Sequence, residues 1–240
     1  MHRFIVTPEA VRGDRVTLPP EESHHIARVL RLRPGDRVIV FDGRGGEYVV
    51  ELTSVRPESA AGRVLERRAG APPALHLILV QGVPKGAKMD ALIRMGTGLG
   101  IARFLPVLTQ RAVARPAPAR VDRWQRIAAA AAKQSGRSTV PRVESPRPFL
   151  EVFGELAGAL VLMPWEGERS RSIGAVLTQH RDARAVAVCV GPEGGWAPEE
   201  VAGAVAQGAH PVTLGDLILR TETAGIVAAA MVLYELTLRS

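Results

Sequence analysis

Two segments near the C-terminal end of the sequence carry residue types that suit ligand binding. One is the glycine-rich run Gly191–Trp196, which directly follows the apolar stretch Ala185–Val190. The other is Asp216–Ala224, which follows an apolar stretch ending in Leu214 and Gly215 and contains an arginine and a glutamate. Ligands of open α/β sheets bind beyond the carboxyl ends of the strands, so the two segments are predicted to face one pocket.

The chemistry that these segments favour is close contact between the backbone and a ligand. Glycines let main-chain N–H and C=O groups approach a bound molecule, and proline fixes the curve of the loop. Loops rich in glycine and proline are also common turns, so these residues alone do not identify the ligand.

Other motifs are weaker. Met95–Gly100 has glycines at G-x-G-x-G spacing, but a helical pattern precedes it and a strand pattern follows, the reverse of a dinucleotide-binding loop. We interpret it as a helix end with glycine caps. The single cysteine, Cys189, lies in an apolar run and is predicted to be a buried hydrophobe, and the pair His24-His25 does not suggest a metal site.

Composition favours a nucleic-acid partner. The chain has 31 lysines and arginines against 24 acids, a net charge of +7, and all but three of the basic residues are arginines. Arginine's planar fork suits bidentate phosphate contacts, although a solvated basic surface would give the same count. The N-terminus lacks the apolar core of a signal peptide, and Ala224–Leu238 is interpreted as a buried helix, so we expect a cytoplasmic protein with no membrane partner.

The elements that would position these residues fall into two groups. Residues 1–70 are predicted to form short strands in a small barrel, with Asp42–Gly46 as a hairpin connection. One helix, started by Pro19–Ser23 and ended at Pro34-Gly35, interrupts them. Ala69–Ala74 is predicted to be a linker.

Beyond the linker, apolar strands alternate with helices. Nearly continuous apolar runs are typical of a parallel sheet covered on both faces. The predicted strands are Leu75–Gln81, Ala102–Leu108, Ala159–Met163, Ala185–Val190 and Pro211–Leu214. The predicted helices include Asp122–Ser135, a helix opened by Pro198, and Ala224–Leu238, whose small residues suit a core or dimer contact.

Motifs along the whole chain resemble one family. They are His24–Arg31 with Gly35-Asp36, Lys85–Met89, Gln110-Arg111, Gln134–Arg137, Val190–Gly195, Leu214-Gly215 and Ile218–Ala224. This combination resembles the ribosomal RNA small-subunit methyltransferase E family, the uridine-N3 methyltransferases of the SPOUT superfamily. The chain departs from the family pattern at Gly98 and Lys133, where the family usually has glutamate, and at Trp196, where it usually has phenylalanine.

The resemblance implies an α/β architecture: an N-terminal PUA-like β-barrel that binds RNA (residues 1–70), then a SPOUT methyltransferase domain (74–240) with a C-terminal trefoil knot. It implies a homodimer that uses S-adenosylmethionine (SAM) to methylate N3 of a uridine in 16S ribosomal RNA, either free or in the small ribosomal subunit. No metal is expected.

Site residues follow from the resemblance as expectations. We expect the SAM pocket to be formed by Gly191, Pro192, Glu193, Gly194, Gly195, Leu214, Gly215, Ile218, Leu219, Thr221 and Ala224. Arg220 is predicted to orient the uracil or a phosphate and to stabilise charge. Glu222 is a candidate base, with a cap for the last helix as an equal alternative, and Glu193 is equally well a loop-stabilising carboxylate.

RNA contacts are expected from seven basic residues: Arg3, Arg28, Arg31, Lys85, Lys88, Arg111 and Arg137. An RNA-binding protein that has the fold without catalysis is the alternative of a different class. A Rossmann-type methyltransferase is disfavoured, because its glycine loop should follow an early strand.

Overall fold

The computed structural model describes residues 1–70, 73–112 and 116–239, which form two compact units. The first comprises Met1–Pro72 with Ala129–Val140, and the second comprises Pro73–Ala128 with Pro141–Ser240. Two residues of the predicted linker, Ala71 and Pro72, lie outside the described residues. The segment Ala129–Val140 joins the first unit from far along the chain, which no sequence pattern indicated.

The first unit is built on a six-stranded mixed sheet in the order β1-β4-β5-β6-β3-β2. Its strands are β1 Arg3–Ile5, β2 Val11–Arg12, β3 Arg15–Leu18, β4 Arg37–Phe41, β5 Gly46–Val55 and β6 Ala60–Ala69. β1 pairs with β4 in parallel, and the other pairs are antiparallel. A short 3₁₀ helix, Pro8–Ala10, precedes β2. Closure of this sheet into a barrel stays a prediction.

Helix α1 crosses this unit as Pro20–His24 and continues as a π-helical turn, His25–Val29. Ile26 on its inner face is fully buried with the sheet residues Phe4, Val38 and Val50. The predicted hairpin between β4 and β5 is confirmed: Asp42 Oδ1 accepts the N–H of Gly46 at 2.9 Å. This carboxylate closes the turn because it satisfies a backbone donor of the connection.

The second unit contains a seven-stranded sheet, with order β10-β8-β7-β12-β11-β13 and β9 beside β8. Its strands are β7 His76–Gly82, β8 Arg103–Leu108, β9 Arg142–Val143, β10 Arg147–Pro148, β11 Leu160–Pro164, β12 Ala185–Val190 and β13 His210–Val212. Every pairing is parallel, which confirms the prediction made from the apolar runs. The five predicted strands are present within two residues of their predicted bounds, and the short β9 and β10 were not predicted. The trefoil knot stays a prediction.

Helical segments alternate with these strands along the chain. They are α2 Lys88–Leu99, α3 Pro118–Ser135, a 3₁₀ segment Phe149–Leu156, α4 Ile173–Gln179, α5 Pro198–Ala206, and α6 Thr221–Leu233 with a π-helical turn Tyr234–Leu238. From Ala129 on, α3 belongs to the first unit. α2 ends at Gly100 with φ +117°, so the glycine-cap interpretation is confirmed. In α3, Trp124 is fully buried and donates to Asp90 Oδ1 at 3.1 Å.

Helix α6 lies against β7 and β12 through small residues. A Cβ on Gly225 would lie 3.2 Å from Leu79 Cδ1, so the helix approaches the strand as closely as glycine allows. Among the described residues, Thr221–Leu238 is the one helical stretch long and apolar enough to cross a membrane. Core helices of folded domains meet the same criteria; 33% of this stretch is buried, along its small-residue face.

Candidate functional site

A cleft of ≈ 770 Å³ opens beyond the carboxyl ends of three neighbouring strands, β12, β11 and β13. Its volume lies in the usual range for small-molecule sites. All eleven residues predicted to form a SAM pocket line it, together with Arg220. They are Gly191, Pro192, Glu193, Gly194, Gly195, Leu214, Gly215, Ile218, Leu219, Thr221 and Ala224. The two C-terminal segments therefore face one cavity, as their positions after parallel strands predicted.

The loop after β12 forms one wall of the cleft. It turns tightly, because the Gly195 N–H donates to the Pro192 carbonyl at 2.9 Å. Gly195 has φ +66°, a left-handed conformation that disfavours any side chain, and a Cβ there would also require the Glu166 carboxylate, 2.8 Å away, to move. Trp196 fixes the end of the loop: it is buried and lies 4.2 Å from the Phe149 ring, centroid to centroid.

The floor of the cleft contains a buried polar chain that the sequence analysis missed. Thr221 Oγ1 donates to the Gly191 carbonyl at 2.5 Å and accepts from Gln81 Nε2 at 2.9 Å. Gln81 is fully buried at the end of β7. The chain ties three elements together: β7, the glycine loop and the first residue of α6. Its sequence signal was a glutamine ending an otherwise apolar run.

Two carboxylates at the side of the cleft share one ammonium group. Lys88 Nζ lies 2.8 Å from Glu193 Oε1 and 3.5 Å from Glu222 Oε2. Burial raises the pKa of Glu193, but hydrogen bonds from Lys88 and from the backbone outweigh it and leave the pKa below its ordinary value. Glu222, the candidate base, contacts Lys88 and does not itself line the cleft.

Arg220 stands at the mouth of the cleft as the residue preceding α6. Its carbonyl accepts the N–H groups of Thr223 and Ala224, each at 2.8 Å, so its backbone caps the helix. Its guanidinium is exposed and makes no hydrogen bond or ion pair within the described part of the chain. The arrangement fixes the backbone of Arg220 and leaves its side chain available to a ligand.

A third loop, which follows β11, also lines the cleft and was not predicted. It contributes Trp165, Glu166, Glu168 and Arg169. The Ser170 hydroxyl and the Ser170 and Arg171 backbone N–H groups donate to Glu168, and these bonds lower its pKa to about 2. Sequence reasoning missed the loop because its residues match no ligand-binding motif.

The charge of the cleft is opposite to that of the chain. Four acidic side chains line it against three basic ones, whereas the whole sequence carries a net charge of +7. The acids are Glu166, Glu168, Glu193 and Asp216, and the bases are Lys88, Arg169 and Arg220. A local excess of carboxylates favours a ligand that carries positive charge.

The predicted RNA-contact residues divide between the two units. In the first unit, Arg28 and Arg31 are exposed, and Arg31 is the one described non-glycine residue with positive φ (+53°). Arg3 is paired with Glu47 at 2.7 Å, and burial lowers the pKa of Arg137. Arg3 and Arg137 are therefore held by their own unit more firmly than the sequence suggested.

In the second unit, the remaining predicted RNA contacts lie beside the glycine loop. Arg111 donates to the Gly194 carbonyl at 3.0 Å, Lys88 is paired as described above, and the Lys85 side chain is exposed.

Cys189 is fully buried in β12, as predicted, and burial raises the pKa of its thiol. Within the described ranges, no three histidine, cysteine or acidic side chains are grouped as metal ligands.

The two departures from the family pattern have different surroundings. Lys133, in the first unit, pairs with Glu22 at 2.6 Å and lies 4.8 Å from the centre of the Phe4 ring. A Cβ on Gly98 would meet no atom within 4 Å, so a larger residue would fit there. Lys133 thus has a partner of its own, whereas Gly98 leaves open space.

Comparisons with known proteins agree with the resemblance. A family described as an RNA methyltransferase domain matches residues 71–233, and an RNA methyltransferase PUA domain matches residues 18–65. Ribosomal RNA small subunit methyltransferase E of a Synechocystis strain is 36% identical over 96% of this chain and 77% of its own length. The protein of the same name from Bacillus subtilis is 32% identical over 90% and 88%.

A solved structure extends the similarity to three dimensions. The ribosomal RNA small subunit methyltransferase E from Neisseria gonorrhoeae, bound to S-adenosyl methionine, superimposes with a TM-score of 0.87. It is 32% identical, and the match covers 97% of each chain.

Proposed function

Since this chain belongs to the ribosomal RNA small subunit methyltransferase E family, we propose that it transfers a methyl group from SAM to N3 of a uridine in 16S ribosomal RNA. The observation that carries the proposal is the single cleft at the carboxyl ends of β12, β11 and β13. The relative from Neisseria gonorrhoeae, which matches 97% of this chain, was crystallised with bound S-adenosyl methionine.

The residues present fit SAM. The cleft has the volume of a small-molecule site, a backbone-lined wall without side chains at Gly191, Gly194 and Gly195, and an excess of acids that suits a sulfonium and an ammonium group. When bound, SAM supplies the methyl group on its positively charged sulfur. We assign the three glycines, Leu214, Leu219 and Ala224 to holding it, largely through the backbone.

The chain's own residues must then activate and orient the uridine. The N3 atom carries a proton and is a weak nucleophile, so a base has to take that proton, while donors stabilise the negative charge that spreads to O2 and O4. Arg220 is assigned to the second task because its guanidinium is unengaged at the mouth of the cleft. Glu222 stays a candidate for the base and equally for a structural role, since it pairs with Lys88.

Replacement of Arg220 tests the assignment. Arg220→Ala is expected to lower kcat by about 10²–10³-fold, the usual effect of removing one charge-stabilising donor. SAM affinity, measured by calorimetry, should change little, because no other part of the cleft depends on this side chain. Arg169→Ala, also at the cleft, is the matched arginine control. An equal loss of turnover and SAM affinity in Arg220→Ala would contradict the role.

RNA binding is proposed to use both units, with residues 1–70 as an RNA-binding domain and 74–240 as the methyltransferase domain. The proposed phosphate contacts are Arg3, Arg28, Arg31, Lys85, Arg111 and Arg137; Lys88, the seventh predicted contact, is set apart because it pairs with Glu193 and Glu222. Their joint replacement by methionine should flatten the dependence of RNA affinity on salt, because fewer counterions are released. An unchanged slope would reject the assignment.

The proposed partners are 16S ribosomal RNA, free or in the small subunit, and a second copy of the chain, in the cytoplasm. Leu217 and Ile218 at the rim of the cleft are 81% and 88% exposed, which supports a partner surface there. Sedimentation of the purified protein tests the dimer. If the protein binds RNA but calorimetry detects no SAM binding, it is an RNA-binding protein without catalysis.

A further inference from the structure

Lys88 is held between carboxylates of two different elements. Its ammonium is 2.8 Å from Glu193, which belongs to the glycine loop, and 3.5 Å from Glu222, which belongs to the first turn of α6. Of the three basic side chains that line the cleft, it is the one that pairs with carboxylates within the described residues. Its charge is already balanced by two carboxylates, whereas Arg3, the other paired candidate for an RNA contact, pairs with one.

The segment 85–88 contacts Glu193 a second time, through its backbone. The Lys85 backbone N–H donates to both carboxylate oxygens of Glu193, at 3.1 and 3.3 Å. Gly86, with φ +67°, provides the turn between Lys85 and Lys88. Residues 85–88 therefore close around the one carboxylate of the glycine loop, and the geometry fixes where that loop runs.

Lys88 does not stabilise α2, the helix that it begins. It is the first residue of α2, and the preceding residue, Ala87, provides no side-chain cap. A cation at the start of a helix is opposed by the helix dipole, so this position disfavours lysine on local grounds. A residue that breaks a local rule in this way is expected to have a role elsewhere.

We propose that Lys88 is a positioning residue of the cleft, whose ammonium ties the glycine loop to the start of α6 and so holds the backbone that receives SAM. This inference rests on the proposed function. On the buried side, Thr221 fastens the same loop to the same helix through the Gly191 carbonyl. The loop is thus tied to α6 at two points, one in the floor of the cleft and one at its side.

The Lys88 charge persists under ordinary assay conditions. The hydrogen bond to Glu193 raises the pKa of Lys88, so the ammonium stays protonated at neutral pH. The cleft then keeps a fixed cation between two carboxylates before either the methyl donor or RNA is bound.

Lys88→Met and Lys85→Met form a matched pair, since Lys85 is an exposed lysine of the same turn whose side chain contacts no carboxylate among the described residues. Lys88→Met is expected to raise the SAM dissociation constant about tenfold, equivalent to ~1.4 kcal/mol. The salt slope for a transcribed small-subunit rRNA fragment should stay unchanged. Lys85→Met should leave SAM affinity unchanged and reduce the salt slope by about 0.7, the value for one phosphate contact on a single strand.

Three further proteins keep the test decisive if Lys88→Met folds poorly. Lys88→Arg should restore most of the SAM affinity, because the charge and both carboxylates are kept. Glu193→Gln should weaken SAM binding as Lys88→Met does, and the double variant should lose no more than the worse single variant. Tritium transfer from SAM to the rRNA fragment gives the accompanying KM and kcat, and KM for SAM should carry the larger change.

Two results would overturn the inference. A Lys88→Met protein with a reduced salt slope and normal SAM affinity would make Lys88 a phosphate contact, and a protein with neither effect would make it a solvated charge. If the wild-type chain itself fails to bind SAM, the proposed function fails instead, and the two failures are thereby distinguished.

Discussion

The hydrogen-bond chain in the floor of the cleft predicts that Thr221→Val destabilises the fold. The hydroxyl of Thr221 both donates to Gly191 and accepts from Gln81, at 2.5 and 2.9 Å, and all three residues are buried. A buried hydrogen bond contributes about 0.5–1.5 kcal/mol net, so the loss of two should lower the free energy of unfolding by ~1–3 kcal/mol.

Valine has nearly the shape of threonine, which makes the substitution a test of the hydroxyl alone. Urea unfolding followed by circular dichroism gives the change in free energy from the shift of the midpoint. SAM affinity should fall as well, since the Gly191 carbonyl loses the donor that fixes the glycine loop. Thr221→Ser should change both quantities less, because only a methyl group is lost.

The control lies two residues away. Thr223 is exposed on the same helix, and Thr223→Val should change the free energy of unfolding by less than about 0.5 kcal/mol. If the Thr221 and Thr223 variants unfold alike and bind SAM alike, the buried chain does not hold the cleft together, and the reasoning from its geometry is refuted.

Three other perturbations follow from contacts at the glycine loop, at Glu200 in the first turn of α5, and in the loop after β11. Gly195→Ala should cost ~1–3 kcal/mol because of its left-handed backbone, and it should weaken SAM binding in calorimetry. Glu200→Gln should cost ~1–3 kcal/mol in urea unfolding, because each oxygen of this buried carboxylate accepts a backbone N–H. Ser170→Ala should raise the pKa of Glu168 from about 2 toward 4.5 in an NMR titration. Because the pKa of Glu168 is lower in the folded than in the unfolded protein, the ionised carboxylate stabilises the fold above about pH 4.5, and this stabilisation is lost as the pH falls toward 2.

Much of the second unit could be predicted from the sequence, for a simple physical reason. Strands of a parallel sheet are buried on both faces, so their sequences are continuous apolar runs such as Ala185–Val190. Strand β12 has the same bounds as this run. Once the sheet is parallel, the loops after its strands share one edge. The Gly191 and Thr221 segments therefore lie at the same edge, and the strand order, with β11 alone between β12 and β13, brings them to one cleft.

The first unit was less completely predicted. The hairpin at Asp42 has a local signal, a carboxylate and glycines in a short turn, and it was predicted. The return of Ala129–Val140 to this unit has none, because it depends on contacts between residues more than a hundred positions apart, such as Lys133 with Glu22. Periodicity reports which face of a helix is buried and says nothing about what buries it.

The sequence by itself determined most element types, the parallel sheet and two of the three segments that line the cleft, since each depends on local residue pattern. Only the tertiary structure decided the rest of the site. Gln81, the loop carrying Glu166, and the pairing of Lys88 with Glu193 and Glu222 were all brought in by long-range packing. The partner of a side chain depends on where distant strands and helices end in the fold. That position cannot be read from the residues next to it in the sequence.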